Sequence, residues 1–285
     1  MVTPRVLIVT PARNEAAHLP LLLKSLTTQT YNVIALFVLV DDDSTDGTAE
    51  VIKEWKTCFP AVSIKVKSSG RIISGGAYYS WWAGVNYALE LKNDFDYVMK
   101  LDADVSLSPD YFERLKPGFD TNVDVLGGVI KGMSREQNSY VPGPVKMYSL
   151  KALNAIRALP IATGFDVMDE VLCKKIGLRV SVYSDAKFTL NRPIGFSQGK
   201  LHGRYRNGLV CRWTGYAPEY FTLHLIRYVF RRPYILGALC MLIGFFKADS
   251  GPFSFELRKE HKKMQRQRLV RFCKNPLLTF REVYL

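Results

Sequence analysis

Short apolar segments that end in polar or acidic loops recur through the N-terminal part of the chain. The clearest are residues 6–10, 36–40 and 98–101. Apolar runs of this length predict buried parallel strands, and the leucine spacing after the first run predicts a helix over residues 18–26. Strands that alternate with helices predict an open α/β sheet, which binds its ligands at the carboxyl ends of the strands.

Two aspartates follow the third segment, at Asp102 and Asp104. Because side chains alternate along a strand, both carboxylates should reach the same side of the sheet. Hard oxygen ligands suit Mg²⁺ or Mn²⁺, and such ions usually complete their shell with substrate phosphates. A solvated acidic turn is the alternative interpretation of this pair.

Two common phosphate-binding sequences are missing from the chain. Residues 11–15, the loop after the first segment, contain no glycine, whereas a dinucleotide site would need G-x-G-x-x-G there. The G-x-x-x-x-G-K-[ST] motif does not occur either. A nucleoside diphosphate held through a metal is therefore a better expectation than NAD or a nucleoside triphosphate held in a glycine-rich loop.

Three motifs occur in a fixed order: Pro-Ala-Arg-Asn-Glu at 11–15, Asp-Asp-Asp-Ser-Thr-Asp-Gly-Thr at 41–48, and Leu-Asp-Ala-Asp at 101–104. Together they resemble the signatures of family 2 glycosyltransferases of the GT-A fold, over residues 5 to about 185. The resemblance implies an α/β fold, a Rossmann-like open mixed sheet flanked by helices. It also implies transfer of a hexose from a nucleotide-sugar donor with inversion at the anomeric carbon.

The same resemblance implies roles for individual residues. Asp42 would bind the edge of the base, and Asp102 with Asp104 would hold Mn²⁺ or Mg²⁺. For Arg13, an ordinary surface position is as good an interpretation as a phosphate contact. The residues implied to bind the nucleotide are Pro11, Ala12, Arg13, Glu15, Asp42, Asp102 and Ala103.

A family 2 enzyme also needs an acid that deprotonates the acceptor hydroxyl. Asp169 takes that position by its spacing from Leu172, although Met168 replaces the customary glutamate. Glu170 is the alternative base. An acid favoured by the dipole at the start of a helix is the structural alternative for both.

Residues 188–201 resemble an Arg-x-x-Gly-x-Ser-Lys-Leu stretch of dolichyl-phosphate mannose synthases. If the likeness holds, Arg192 and Lys200 close over the donor and acceptor phosphates, and His202, Arg204 and Arg206 form a mobile basic lid. The comparable acceptor region would include Lys131, Ser134 and Arg135. This mannose-synthase-like stretch favours GDP-mannose as the donor, and a UDP-sugar is the alternative. The acceptor would be a polyprenyl phosphate, a glycolipid or a glycan.

The formal net charge of +13 is concentrated late in the chain. There, the apolar run 234–246 is shorter than the roughly 20 residues that span a bilayer, and arginines and lysines frame it. We therefore predict a catalytic domain over 1–215 and a helical membrane-interface region over 216–285. Helices buried against the catalytic domain are the first alternative, and nucleic-acid binding is the least favoured.

No signal peptide is recognised at the N-terminus, because residues 6–9 read as a core strand. The expected location is the cytoplasmic face of a membrane, as a peripheral or monotopic protein. Two other classes remain open: a nucleotidyltransferase, which would share the sheet and the acidic site, and a non-catalytic membrane scaffold, which would need no Asp102.

Overall fold

The computed structural model describes residues 3–55, 59–67, 75–92, 94–132, 140–192 and 199–274. Within these ranges, eight strands form one sheet. The strands are β1 (Val6–Ala12), β2 (Ile34–Asp42), β3 (Ala61–Val66), β4 (Tyr97–Leu101), β5 (Val105–Leu107), β6 (Val125–Ile130), β7 (Val145–Ser149) and β8 (Val180–Leu190).

The sheet is mixed, in the spatial order β3-β2-β1-β4-β7-β6-β8-β5. Its first four strands, β3 to β4 in that order, are parallel to one another. Strand β7 runs antiparallel to both β4 and β6, and β5 runs antiparallel to β8. Because the chain leaves β1 towards β2 and later returns on the other side at β4, the carboxyl ends of these strands form the crevice expected to bind a ligand.

Helices cover the sheet and continue beyond it. In the part of the chain that the structure describes, they are α1 (Leu19–Thr27), α2 (Thr48–Glu54), α3 (Gly76–Leu91), α4 (Tyr111–Arg114), α5 (Lys116–Asp120), α6 (Leu150–Ile156), α7 (Phe165–Lys175), α8 (Lys200–Trp213), α9 (Pro218–Val229), α10 (Tyr234–Lys247) and α11 (Phe255–Lys274).

The alternation of side chains along β1 divides the core into two layers. Val6 and Ile8 pack with the leucines of α1 on one face of the sheet, and Leu7 and Val9 pack with α3 and α7 on the other. Helix α3 approaches the sheet closely at Gly84, where a Cβ atom would lie 2.6 Å from the side chains of both Val9 and Val40. Glycine at that position therefore allows α3 to cover the strands that carry the site.

The C-terminal helices pack on one another and on the sheet domain. A Cβ on Gly208 of α8 would lie 1.9 Å from the carbonyl oxygen of Met241 of α10, so glycine lets these two helices touch through their backbones. Leu257 of α11, and Phe253 just before that helix, pack in one cluster with Met168 and Val171 of α7. Helix α8 lies against α10, and the predicted division of the chain at 216 stays a prediction.

None of the helices in the described ranges combines the length and the apolar character that crossing a bilayer would require.

Candidate active site

The site lies where β1, β2 and β4 end. The register pairs Ala12 with Asp41 and Val9 with Lys100, so Asp42 and Asp102 emerge at the same edge of the sheet. The sequence therefore places the base-binding and metal-binding candidates correctly at one edge, because parallel strands align their carboxyl ends. Their individual roles remain predictions.

The loops after β1 and β2 are hydrogen-bonded to each other. The Asn14 side chain accepts from the N–H of Thr45 at 2.8 Å, and the Ser44 hydroxyl accepts from the N–H of Asn14 at 3.1 Å. Asn14 and Asp43 both adopt left-handed backbone conformations, with φ of 56° and 57°. Asparagine and aspartate tolerate this conformation better than most residues, and such positions concentrate at functional sites.

Asp42 is a buried carboxylate whose Oδ1 has no hydrogen-bond donor within the described part of the chain. Leaving a buried acceptor unpaired costs free energy, so Asp42 Oδ1, at the edge where the parallel strands end, is available to a donor from a ligand. A ring N–H of a nucleobase has the chemistry required.

Arg192 connects two acids that the sequence assigns to different parts of the site. Its guanidinium donates to Asp104 Oδ2 at 3.1 Å through Nε and to Glu15 Oε1 at 2.7 Å through Nη2. Glu15 also contacts His18 Nδ1 at 3.1 Å. The predicted phosphate contact Arg192 therefore lies directly beside the predicted metal ligand Asp104.

Lys100 places an ammonium group at the other aspartate. Its Nζ donates to Asp102 Oδ1, and to the carbonyl oxygen of Gly143 at 3.2 Å. Burial raises the pKa of Asp102, Lys100 opposes that rise, and the charge on Asp104 adds to it. The two aspartates therefore act on each other electrostatically, and a lysine partly balances their charge.

The predicted general bases on α7 are both inaccessible. Asp169 and Glu170 are fully buried, and Lys146 Nζ lies 3.1 Å from Asp169 and 3.0 Å from Glu170. The Tyr148 hydroxyl donates to Asp169 at 2.6 Å. Although burial alone would lower the pKa of Lys146, the charges of the two acids raise it. These acids form a buried ion cluster in this structure, and an acceptor hydroxyl has no access to them.

Asp166, one turn earlier on α7, has the accessibility that Asp169 lacks. It is only partly buried, and a Cβ on Gly143 would lie 2.8 Å from Asp166 Oδ2. Gly143 also accepts from Lys100, and Pro144 accepts from the N–H of Asp102 at 2.9 Å. Segment 143–144 thus lies between Asp102 and Asp166. The sequence analysis did not single out Asp166, although its helical spacing places it on the same face of α7 as Asp169 and Glu170.

The predicted basic lid is not a loop. His202, Arg204 and Arg206 lie on α8, so the expectation of a mobile loop there is wrong. Arg204 stacks on the ring of Tyr228 of α9 at 3.9 Å. Lys200 is exposed at the start of the same helix.

The structure describes one of the three predicted acceptor contacts. Lys131 is exposed directly after β6, and its N–H donates to the carbonyl of Phe188 on β8 at 2.7 Å. Ser134 and Arg135 lie outside the described residues, as does most of the stretch 188–201 after Arg192.

The donor set fits a hard divalent cation. Asp102 and Asp104 are carboxylates at the same end of β4, and the charge of Asp104 helps to raise the pKa of Asp102. Mg²⁺ or Mn²⁺ commonly uses one or two carboxylates together with substrate phosphates. Across the described ranges, no cluster of three or more histidine, cysteine or acidic side chains could hold a metal without a substrate.

The mixed sheet, its polar strand ends and the paired aspartates define a nucleotide-binding α/β enzyme fold. The family model described as glycosyl transferase family 2 matches residues 7–169, more than half of the chain. The chain belongs to glycosyl transferase family 2, and the mixed sheet flanked by helices confirms the predicted GT-A fold.

Two relatives illustrate its place in the family. The 4,4'-diaponeurosporenoate glycosyltransferase of Staphylococcus haemolyticus is 32% identical over 135 residues, which cover 47% of this chain and 30% of that protein. The polyprenol monophosphomannose synthase of Mycolicibacterium smegmatis is 28% identical over 141 residues, covering 50% of this chain and 47% of that protein. The chain thus spans between about a third and a half of the length of these relatives.

Solved structures share the fold at low sequence identity. The mannosyltransferase PcManGT from Pyrobaculum calidifontis, in complex with GDP-Man and Mn²⁺, matches 99% of this chain and 84% of its own, with a TM-score of 0.58 and 20% identity. Staphylococcus aureus TarS 1–349 in complex with UDP-GlcNAc matches 85% of this chain and 71% of its own, with a TM-score of 0.51 and 18% identity.

Proposed function

We propose that this protein transfers a hexose from a nucleoside diphosphate sugar to a lipid-linked or glycan acceptor, with inversion at the anomeric carbon. The observation that carries the proposal is the meeting of three groups at one sheet edge. These are the unpaired buried oxygen of Asp42, the carboxylates of Asp102 and Asp104, and the guanidinium of Arg192. We assign Asp42 to the base, Asp102 and Asp104 to a metal that binds the diphosphate, and Arg192 to a phosphate group of the donor.

In this proposal Asp102 and Asp104 would hold Mn²⁺ or Mg²⁺, which when bound would supply positive charge to the diphosphate of the donor. Arg192 adds a second cation beside Asp104, where it can donate two hydrogen bonds to phosphate in place of its present carboxylate partners. Preorganised cations of this kind stabilise the charge that develops on a leaving group.

Asp166 is the proposed general base in place of Asp169. A base must reach the hydroxyl that it deprotonates, and the partly exposed Asp166 adjoins the segment that borders Asp102. If the acceptor is a phosphate it is already ionised near neutral pH, and the reaction then needs no base.

The donor is proposed to be GDP-mannose, and a UDP-sugar is the alternative. The likeness to a polyprenol monophosphomannose synthase and to a GDP-Man complex supports the first, and the likeness to a UDP-GlcNAc complex supports the second. Asp42 can accept a ring N–H from either guanine or uracil, so its chemistry suits both donors.

The experiment that tests this proposal is a thermal-shift comparison of GDP, UDP, GDP-mannose and UDP-glucose, each with and without Mn²⁺. A ligand at 100 times its Kd adds about 2.7 kcal/mol of stability, which corresponds to a rise of several degrees in Tm. We expect a Mn²⁺-dependent rise with one base, lost in Asp104→Ala and retained in Asp120→Asn, an exposed acid on α5.

A flat response to all four ligands would contradict the proposed donor class and favour a non-catalytic scaffold. A rise with nucleoside triphosphates, accompanied by pyrophosphate release, would instead favour a nucleotidyltransferase.

A further inference from the structure

The outward sides of α9 and α10 are apolar. On α9 and its C-cap, Leu223, Ile226 and Phe230 follow helical spacing and are 51%, 51% and 78% exposed. On α10, the side chains at helical spacing are also large, apolar and exposed: Ile235, Leu239, Ile243 and Phe246. We call these seven residues the outer apolar face.

The opposite side of α10 is already used for packing inside the protein. Gly237, Ala238, Met241 and Gly244 are buried there. Gly244 approaches α8 so closely that a Cβ would lie 2.1 Å from the carbonyl oxygen of Tyr205. The helix pair therefore has a satisfied inner side, and the outer apolar face is an additional surface that folding of the chain leaves in water.

A patch of this kind marks an interaction surface, because soluble monomers rarely expose large contiguous apolar areas. Single exposed apolar residues elsewhere, such as Leu21, Leu91 and Ile176, do not form such helical stripes.

The charges around the outer apolar face identify its partner. Arg231 and Arg232 are exposed in the turn between α9 and α10, and Lys247 is exposed at the end of α10. The one acid in residues 218–247, Glu219, is paired with Arg266 of α11. Apolar side chains that insert among acyl chains, next to cations that meet anionic headgroups, are the features of an interfacial helix.

We propose that the outer apolar face docks into the interface of a bilayer that contains anionic lipid. This inference rests on the exposed side chains and their charges, and it does not depend on the proposed transferase activity. It refines the predicted membrane region 216–285, because it assigns the insertion to α9 and α10 and not to the basic helix α11.

The same face is linked to α8, the next helix in the chain after Arg192. Helix α8 follows β8 in the chain, and Arg204 of α8 stacks on Tyr228 and donates to the carbonyl of Arg232 at 3.4 Å. The turn between α9 and α10, next to the outer apolar face, is therefore held against α8.

The experiment is flotation of the full chain with phosphatidylcholine vesicles, with and without about 30% phosphatidylglycerol. The test variant carries Phe230→Gln, Ile235→Gln and Ile243→Gln. The matched control carries Leu21→Gln, Leu91→Gln and Ile176→Gln, which remove three exposed apolar side chains elsewhere. Because all six positions are exposed, both variants should keep the Tm of the unmodified protein.

We expect the unmodified protein and the control to float with anionic vesicles, and the test variant to lose binding by about ten-fold or more. Arg231→Gln with Arg232→Gln should weaken binding to anionic vesicles, and high salt should do the same. Equal flotation of test and control variants would overturn the proposal. A dimer in light scattering that only the test variant dissociates would also overturn it, because the face would then bind a second copy.

Discussion

Two acids one turn apart on α7 have opposite surroundings. Asp169 is fully buried between Lys146 and Tyr148, whereas Asp166 is partly exposed beside Gly143. Motif spacing pointed to Asp169 because a spacing rule carries no information about how deeply tertiary contacts bury each residue of one helix face. The hydrogen-bond partners of each carboxylate supply that information.

The first prediction separates these two acids. Asp166→Asn should lower kcat for a hydroxyl acceptor by about 10²–10⁴-fold and leave the Tm and the donor affinity unchanged, because only the proton acceptor is removed. Asp169→Asn should instead lower the free energy of unfolding by about 3 kcal/mol, since the buried Lys146 loses a partner. Steady-state kinetics and denaturant titration of both variants are the measurements.

Normal turnover of Asp166→Asn would contradict its role as base and would favour a phosphate acceptor. Loss of turnover in Asp169→Asn at unchanged stability and donor affinity would restore the motif-based assignment.

The second prediction concerns Lys100. Its ammonium contacts Asp102, so it must compete with a divalent cation for that carboxylate. Lys100→Met should therefore strengthen Mn²⁺ binding in the absence of nucleotide by about ten-fold, which corresponds to roughly 1.4 kcal/mol. Calorimetric titration with Mn²⁺ measures this change. As a control, Lys92→Met removes an exposed lysine paired with Asp94 and should leave the Mn²⁺ affinity unchanged. Weaker or unaltered Mn²⁺ binding in Lys100→Met would show that Lys100 does not compete with the cation for Asp102.

At the scale of elements, the strands were predictable and the lid was not. The runs at 6–10, 36–40 and 98–101 became β1, β2 and β4 because short apolar segments between polar loops suit a buried parallel sheet. The likeness to a basic lid placed His202, Arg204 and Arg206 in a mobile loop, and the glycines near them locally disfavour helix. Gly208 is instead the contact point for α10, and packing between the two helices overrides that local preference.

Helix α11 is joined to the turn between α8 and α9 by a buried polar network. His261 Nδ1 lies 2.7 Å from the carbonyl oxygen of Thr214, and His261 Nε2 lies 3.1 Å from Gln265 Nε2. Gln265 Oε1 accepts from the N–H of Ala217 at 2.8 Å. This arrangement uses a neutral imidazole that donates from Nδ1 and accepts at Nε2, since a charged ring would set Nε2–H against the amide donor.

The third prediction is a pH dependence of stability at this network. Burial lowers the pKa of His261 to about 4 from an ordinary value of 6.5. Between these values the unfolded chain binds a proton that the folded protein does not bind. Stability should therefore fall as the pH falls from 6.5 towards 4, by up to about 3 kcal/mol from this residue. Urea unfolding across that range measures the slope.

His261→Asn should keep a donor to Thr214 and flatten this slope, although it costs some stability at neutral pH. His202→Asn, at an exposed position on α8, should retain the full slope. An unchanged slope in His261→Asn would show that other groups cause the pH dependence.

At the scale of the molecule, an acidic sheet edge and a set of cationic, partly apolar helices are the two regions for which functions are proposed. The sequence predicted both regions, because the motifs and the late charge are local patterns. It does not predict the contact between α8 and α10, because that contact joins residues far apart in the chain. The exposure of each helix side likewise depends on tertiary packing.

The most direct test of the whole account is a product analysis. The full chain is incubated with Mn²⁺, GDP-mannose or UDP-glucose, and vesicles that carry a polyprenyl phosphate and a glycolipid, and the products are resolved by mass spectrometry. The account predicts release of one nucleoside diphosphate together with an acceptor heavier by one hexose, and loss of both in Asp104→Ala. Pyrophosphate release, or donor binding with no hexose added to any acceptor, would contradict it.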